Sequence, residues 1–69
     1  MRILVNAIVQ ADGRKSKFSY EEEHTSAFEA IAQFRRDVGT DFVSATARSY
    51  DHGDATKYDA RRPWLHYYV

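Results

Sequence analysis

Ser26-Ala27-Phe28-Glu29 has the form of a helix capping box. A hydroxyl stands at the N-cap and a carboxylate three residues on, each within reach of the other's orphan backbone N–H. Ala27, Ala30, Ile31, Phe34 and Val38 follow at the spacing of one helix face. Gly39 then offers a left-handed stop that other residues adopt only with strain. The pattern predicts a helix over Ala27 to Val38, with Glu29, Gln33, Arg36 and Asp37 on its outer face. The alanines let it lie close to a sheet, while Phe28, Ile31 and Phe34 supply most of its apolar area.

Both flanks of this helix read as strands. Upstream, Ile3 to Val9 sets Ile3, Val5, Ala7 and Val9 on one face, with Leu4 and Ile8 among polar residues on the other. A strand apolar on one face and half-apolar on the other belongs in the middle of its sheet. Asp12-Gly13 is a strong reverse-turn signal. It leads to Lys17 to Glu23, where Phe18 and Tyr20 alternate with Lys17, Ser19 and Glu21.

Downstream, Asp41 to Tyr50 puts Val43, Ala45 and Ala47 on one face and Phe42, Ser44, Thr46, Arg48 and Tyr50 on the other. Asp51 to Arg62 lacks alternation and reads as a long connecting loop, with room for a short irregular strand near Lys57-Tyr58. Pro63 opens a final strand, Trp64 to Val69.

The element order is ββαββ. The expected fold is α+β, a single helix packed on one face of a four-stranded antiparallel sheet. Its expected core is Ile3, Val5, Val9, Phe28, Ile31, Phe34, Val43 and Leu65.

Sixty-nine residues make one compact domain, 1–69, that buries only about 60% of its unfolded surface. The chain has no cysteine, so neither a disulfide nor a thiolate zinc site supplements the core. Ten Lys and Arg balance ten Asp and Glu, so net charge selects no partner class. The distribution is uneven: Arg14, Lys15 and Lys17 are followed by Glu21, Glu22 and Glu23, and Arg35-Arg36 and Arg61-Arg62 are basic pairs. No apolar run is long enough to span a membrane, and the first residues enter a strand pattern without a secretory signature. A cytoplasmic location is the expectation.

Catalytic motifs are weak. His52 with Asp51 and Asp54 lies in a polar loop where Asp and Gly are ordinary turn residues, short of convergent metal ligands. His24 beside Glu21, Glu22 and Glu23 precedes the helix cap. No serine has a nucleophile-elbow context, and Ser26 already has a structural role. Asp12-Gly13-Arg14-Lys15 is too short for a phosphate loop. The sequence therefore predicts a non-enzyme that needs no cofactor and no metal.

The remaining signal is aromatic and basic. With these registers, Arg48, Tyr50, Trp64, His66 and Tyr68 project from the face that the helix leaves open, with Arg61 and Arg62 at its edge. Trp, Tyr and Arg anchor protein interfaces, and the same residues stack on bases and track phosphates. The RNA-binding pattern of basic-Gly-aromatic-Gly-aromatic is absent, which ranks protein above nucleic acid as the partner. The expected partner is a protein or nucleoprotein complex with an acidic or phosphate-rich surface. A nucleic-acid-binding module is the alternative, and a homodimer through the open face would also cover the aromatics.

Phe18-Ser19-Tyr20-Glu21, Ser26-Ala27-Phe28-Glu29-Ala30-Ile31 and Asp41-Phe42-Val43-Ser44-Ala45 form a hairpin, a capped helix and a strand. In size and element order this resembles small phage-borne anti-CRISPR inhibitors of type I systems. The resemblance covers most of the chain. It implies a stoichiometric inhibitor that binds a host nucleoprotein complex and blocks nucleic-acid access.

Overall fold

The computed structural model describes residues 1–51 and 53–62, and the backbone of 66–68. Strands β1 (Arg2–Ala11) and β2 (Arg14–Glu23) are followed by helix α1 (Ala27–Val38) and one 3-10 turn (Gly39–Asp41). Strands β3 (Phe42–Ser49), β4 (Ala55–Asp59) and β5 (His66–Tyr68) complete the chain. The sheet is antiparallel in the order β2-β1-β3-β4-β5. The fold is α+β, with the helix on one face of an antiparallel sheet. Strand β4 arises inside the segment read as a long connection, around the Lys57-Tyr58 position, and brings the sheet to five strands.

Asp12 and Gly13 both take positive φ, 53° and 75°, and Ala11 pairs directly with Arg14. This is the two-residue turn whose twist matches that of the flanking strands. Strand β1 lies between β2 and β3, as its two-sided apolar pattern requires. Ile3, Val5 and Ala7 are buried under the helix beside Ala45, Ala47, Thr56 and Tyr58.

The helix buries Ala27, Ala30 and Ile31 and lays Phe34 and Val38 against the core. Small residues on both sides, Ala27 and Ala30 against Ala45 and Ala47, permit the close approach. The outer face is a polar ladder. Gln33 Nε2 donates to Asp37 Oδ1 at 3.0 Å, Arg36 Nη2 donates to Gln33 Oε1 at 3.0 Å, and Arg36 pairs with Glu29 at 3.6 Å. Gly39, with φ 76°, ends the helix while its N–H donates to the Arg35 carbonyl.

Three core expectations are corrected, at Phe28, Val43 and Val9. Phe28 is 49% exposed: it lies one residue from Ala27, about 100° around the helix, and falls off the stripe that faces the sheet. Phe42 is buried and Val43 only half-buried, the reverse of simple alternation. The cause is a register shift between Ile8 and Val9: Ile8 pairs with Ser44 but Val9 with Phe42, so Val43 is the extra residue of a β-bulge. Val9 is half-buried, and Leu65 lies outside the described residues.

Both ends of the helix start are closed by side chains. Ser26 Oγ accepts the Glu29 N–H at 3.0 Å, the first half of the capping box. The Glu29 carboxylate turns to Arg36 instead of back to the cap. A second acceptor comes from far along the chain: Asp54 Oδ2 takes the Ala27 N–H at 2.8 Å, while the Asp54 carbonyl accepts from Ser49 N at 2.7 Å. The Asp51–Asp54 loop is thus tied to the helix it follows by a carboxylate at the positive end of the helix dipole. Asp54→Ala is expected to destabilise the domain by about 1 kcal/mol, as is Ser26→Ala, because each leaves one first-turn N–H without its acceptor. Urea midpoints check this; an unchanged midpoint for Asp54→Ala would show that water replaces the carboxylate at no cost.

Candidate functional site on the uncovered sheet face

Register assigns the side chains of the uncovered face. The row through Asn6 contains Ser19, Thr46 and Lys57, and the row through Ile8 contains Lys17, Ser44 and Asp59. The centre of the face is therefore floored by Asn6, Ser44 and Thr46 together with the apolar side chain of Ile8. Long cationic ones stand at its sides, Lys17 on β2 and Lys57 on β4. The result is a trough of about 660 Å³. Three inter-strand spacings separate β2 from β4, roughly 14 Å between the flanking backbones.

The turn after β4 brings Arg61 and Arg62 to the same trough. Asp59 builds that turn. Its Oδ1 accepts from Arg61 N at 2.9 Å and from Arg61 Nε at 3.0 Å, its Oδ2 accepts from Arg61 Nη2 at 2.7 Å, and its carbonyl accepts from Arg62 N at 3.0 Å. The fork matches the carboxylate atom for atom. The side-chain bond from Arg61, helped by the Arg61 backbone N–H, lowers the Asp59 carboxyl from its ordinary 3.8 to about 2.

A pH dependence follows from that shift. The folded value lies below the unfolded one, so the contribution is fully present above pH 3.8 and is lost as pH falls through about 2. A carboxyl-detected NMR titration is expected to find Asp59 titrating near 2, and in the ordinary range in Arg61→Gln. An ordinary value in the parent chain would show that the clamp does not persist in solution.

Neither Lys17, Lys57 nor Arg62 has an ion-pair partner among the described residues. Their charges crowd one concavity in a chain whose total charge is zero. The opposite end of the same face is electrostatically closed. Arg2 Nε donates to Glu21 Oε2 at 3.2 Å, Tyr50 Oη reaches Glu21 Oε1 at 3.4 Å, and the Arg48 guanidinium lies 5.6 Å from the Tyr50 ring centre.

The seven expected contact residues thus divide. Arg48 and Tyr50 are on the open face, but in the self-paired cluster outside the trough. Arg61 and Arg62 line the trough, Arg61 with its guanidinium already engaged. Trp64 lies outside the described residues, as do the side chains of His66 and Tyr68. The β5 backbone pairs His66 with Tyr58 and Tyr68 with Thr56, in the rows of Ala45 and Ala47 and not in the row of Arg48.

Lys17 and Lys57, with the floor residues Asn6, Ser19, Ser44 and Thr46, were not anticipated as a site. The alternation of Lys17 and Ser19 with Phe18 and Tyr20 carried half of that signal. The other half was hidden because Lys57 stands in a segment that does not read as a regular strand. Asp54 belongs to the helix cap, and no group of three His, Asp or Glu able to hold a metal occurs among the described residues. His24 joins the strand end: its N–H donates to the Met1 carbonyl at 3.1 Å and its Nε2 lies 3.1 Å from Glu22 Oε2.

The described aromatic rings are mostly on the other side of the sheet. Phe18 and Tyr20 meet Phe34 with ring centres 6.1 and 5.8 Å apart, and Tyr58 meets Phe42 at 5.9 Å. No described helix is long and apolar enough to cross a membrane. The chain matches no protein-family model, no curated protein and no solved structure.

Proposed function

We propose that the protein is a small non-enzymatic binding module that docks an acidic segment of a partner protein in the trough. It would act stoichiometrically, by covering that segment, as the resemblance to anti-CRISPR inhibitors implies. One observation carries the reading: Lys17, Lys57 and Arg62 line one trough and are in no ion pair among the described residues, while the one acid that lines it, Asp59, is clamped by Arg61. Charge-complementary docking favours an anionic partner and speeds encounter.

Chemistry favours polypeptide over nucleic acid. A gap of roughly 14 Å accepts one helix with its side chains, about 10–12 Å across, or one extended strand. Single-stranded nucleic acid is held by basic grooves that also offer rings for the bases. Here the rings of Phe18 and Tyr58 are engaged on the helix side.

The test is capture from a bacterial lysate with and without nuclease, followed by binding of the captured partner at several salt concentrations. Capture is expected to survive nuclease, to be competed by a polyglutamate peptide, and to weaken only moderately with salt. Loss of capture on nuclease treatment, with a steep log-linear salt dependence, would assign the trough to phosphates instead.

A further inference from the structure

Strand β2 is the outer strand of the sheet. One side pairs with β1 along its whole length, and its other side has no partner strand among the described residues. Every residue of β2 is exposed apart from half-buried Tyr20, and Phe18 is 46% exposed although its ring touches Phe34. Lysines on an edge strand ordinarily prevent pairing with another chain. Here the protection fails for one geometry. The basic residues Arg14, Lys15 and Lys17 fill the first half of the strand, and the acidic Glu21, Glu22 and Glu23 fill the second.

We propose that β2 pairs antiparallel with β2 of a second copy, about a two-fold axis through Ser19. On the uncovered side, Lys17 then stands opposite Glu21 of the other copy and Lys15 opposite Glu23. On the helix side Phe18 stands opposite Tyr20, which covers the exposed ring. All of these pairs keep their faces, as a continuous sheet requires. Opposite charges directly across strands stabilise a pair, and like charges destabilise it. A parallel, in-register pairing would set lysine against lysine and glutamate against glutamate, so the charge order selects the antiparallel dimer.

Glu21 already accepts from Arg2 at 3.2 Å and from Tyr50 Oη at 3.4 Å, and Glu23 pairs with the N-terminal ammonium of Met1 at 3.2 Å. Both carboxylates are exposed, so each can hold a further cation. The dimer is argued from the β2 edge alone and not from the trough reading; it engages Lys17, one wall of the trough, and leaves Lys57 and Arg62 available. Such an interface is small, so association is expected to be weak and reversible.

The experiment uses the full chain and two charge variants. Sedimentation at concentrations up to about 1 mM is expected to show a monomer–dimer equilibrium for the parent. Lys15→Glu with Lys17→Glu, and separately Glu21→Lys with Glu23→Lys, should each remain monomeric. Mixed in equal amounts, the two should form a heterodimer. The chain has no cysteine, so Ser19→Cys gives an unambiguous cross-link: it should oxidise to a dimer, while Gln10→Cys on β1 should not.

Circular dichroism verifies that each variant is folded, and the cysteine arm does not depend on the charge variants. A parent that stays monomeric throughout overturns the proposal. So does a mixture of folded variants that fails to associate, or equal cross-linking through Gln10→Cys.

Discussion

Phe34→Ala is expected to lower the melting temperature of the domain by roughly 12 °C or more. The Phe34 ring is the hub of an aromatic chain across the covered face. Its centre lies 6.1 Å from Phe18, 5.8 Å from Tyr20 and 6.1 Å from Phe42, and Phe42 continues to Tyr58 at 5.9 Å. The Arg35 guanidinium closes the chain, 4.9 Å from the Tyr58 ring centre. Burial first, then the Glu22 and Asp37 carboxylates, hold the Tyr20 phenol above its ordinary value, so Tyr20 stays neutral.

Truncating the hub removes contacts to three rings and opens a gap between α1, β2 and β3. The cost is about 3 kcal/mol, the lower end for a phenylalanine because Phe34 is only partly buried. A domain of this size has a total stability of about 3–10 kcal/mol, so the melting temperature should fall by roughly 12 °C or more. Phe28→Ala, at a half-exposed ring on the same helix, should lower it by less than half as much. A Phe34→Ala melt within a few degrees of the parent would show that alanine and strand packing, and not the ring chain, hold the helix down.

How much of this was legible depends on how local the cause is. Ser26, Gly39 and the apolar spacing between them determine α1 within a dozen residues, and the helix has those bounds. Asp12-Gly13 sets its hairpin through two positive φ angles that only a few residue types favour. By contrast, the swap of Phe42 and Val43 comes from a bulge, an extra residue inserted against the neighbouring strand. No period within β3 reveals it. Strand β4 is short, and its alternation of buried Thr56 and Tyr58 with exposed Lys57 looks like polar loop sequence until β3 pairs with it.

Asp54 capping Ala27 spans half the chain and carries no sequence signature. The trough was half-visible for the same reason. Its Lys17 wall is local to a readable hairpin, whereas its Lys57 wall exists only through pairing. The role of the long connection is structural first: Asp54 closes the helix start, Ala55–Asp59 adds a strand, and Asp59 positions Arg61 and Arg62.

Lys57→Glu with Arg62→Glu is expected to reduce partner binding by at least about 100-fold, equivalent to about 2.7 kcal/mol, without unfolding the domain. Both side chains are exposed, and neither has an ion-pair partner among the described residues, so reversal breaks no such bond. Arg61 is the wrong residue for this purpose although it lines the same trough. Its reversal would put a new carboxylate against Asp59 and undo the turn that places Arg62. Arg48→Glu serves as the control, because Arg48 is on the same face but outside the trough. It alters the charge of the face while leaving the concavity intact.

If the trough is the site, the double variant loses binding and Arg48→Glu keeps nearly all of it. If a diffuse positive face is the determinant, the two act in proportion to charge, with Arg48→Glu costing about half as much in free energy as the double variant. If both variants bind like the parent, the interface lies on another surface, and the exposed Phe28 and the Arg35-Arg36 side of the helix become the next to be mutated. The comparison discriminates because unpaired cations on a shared floor act together on one anion, whereas the Arg48 guanidinium, held over the Tyr50 ring, is already committed within the chain.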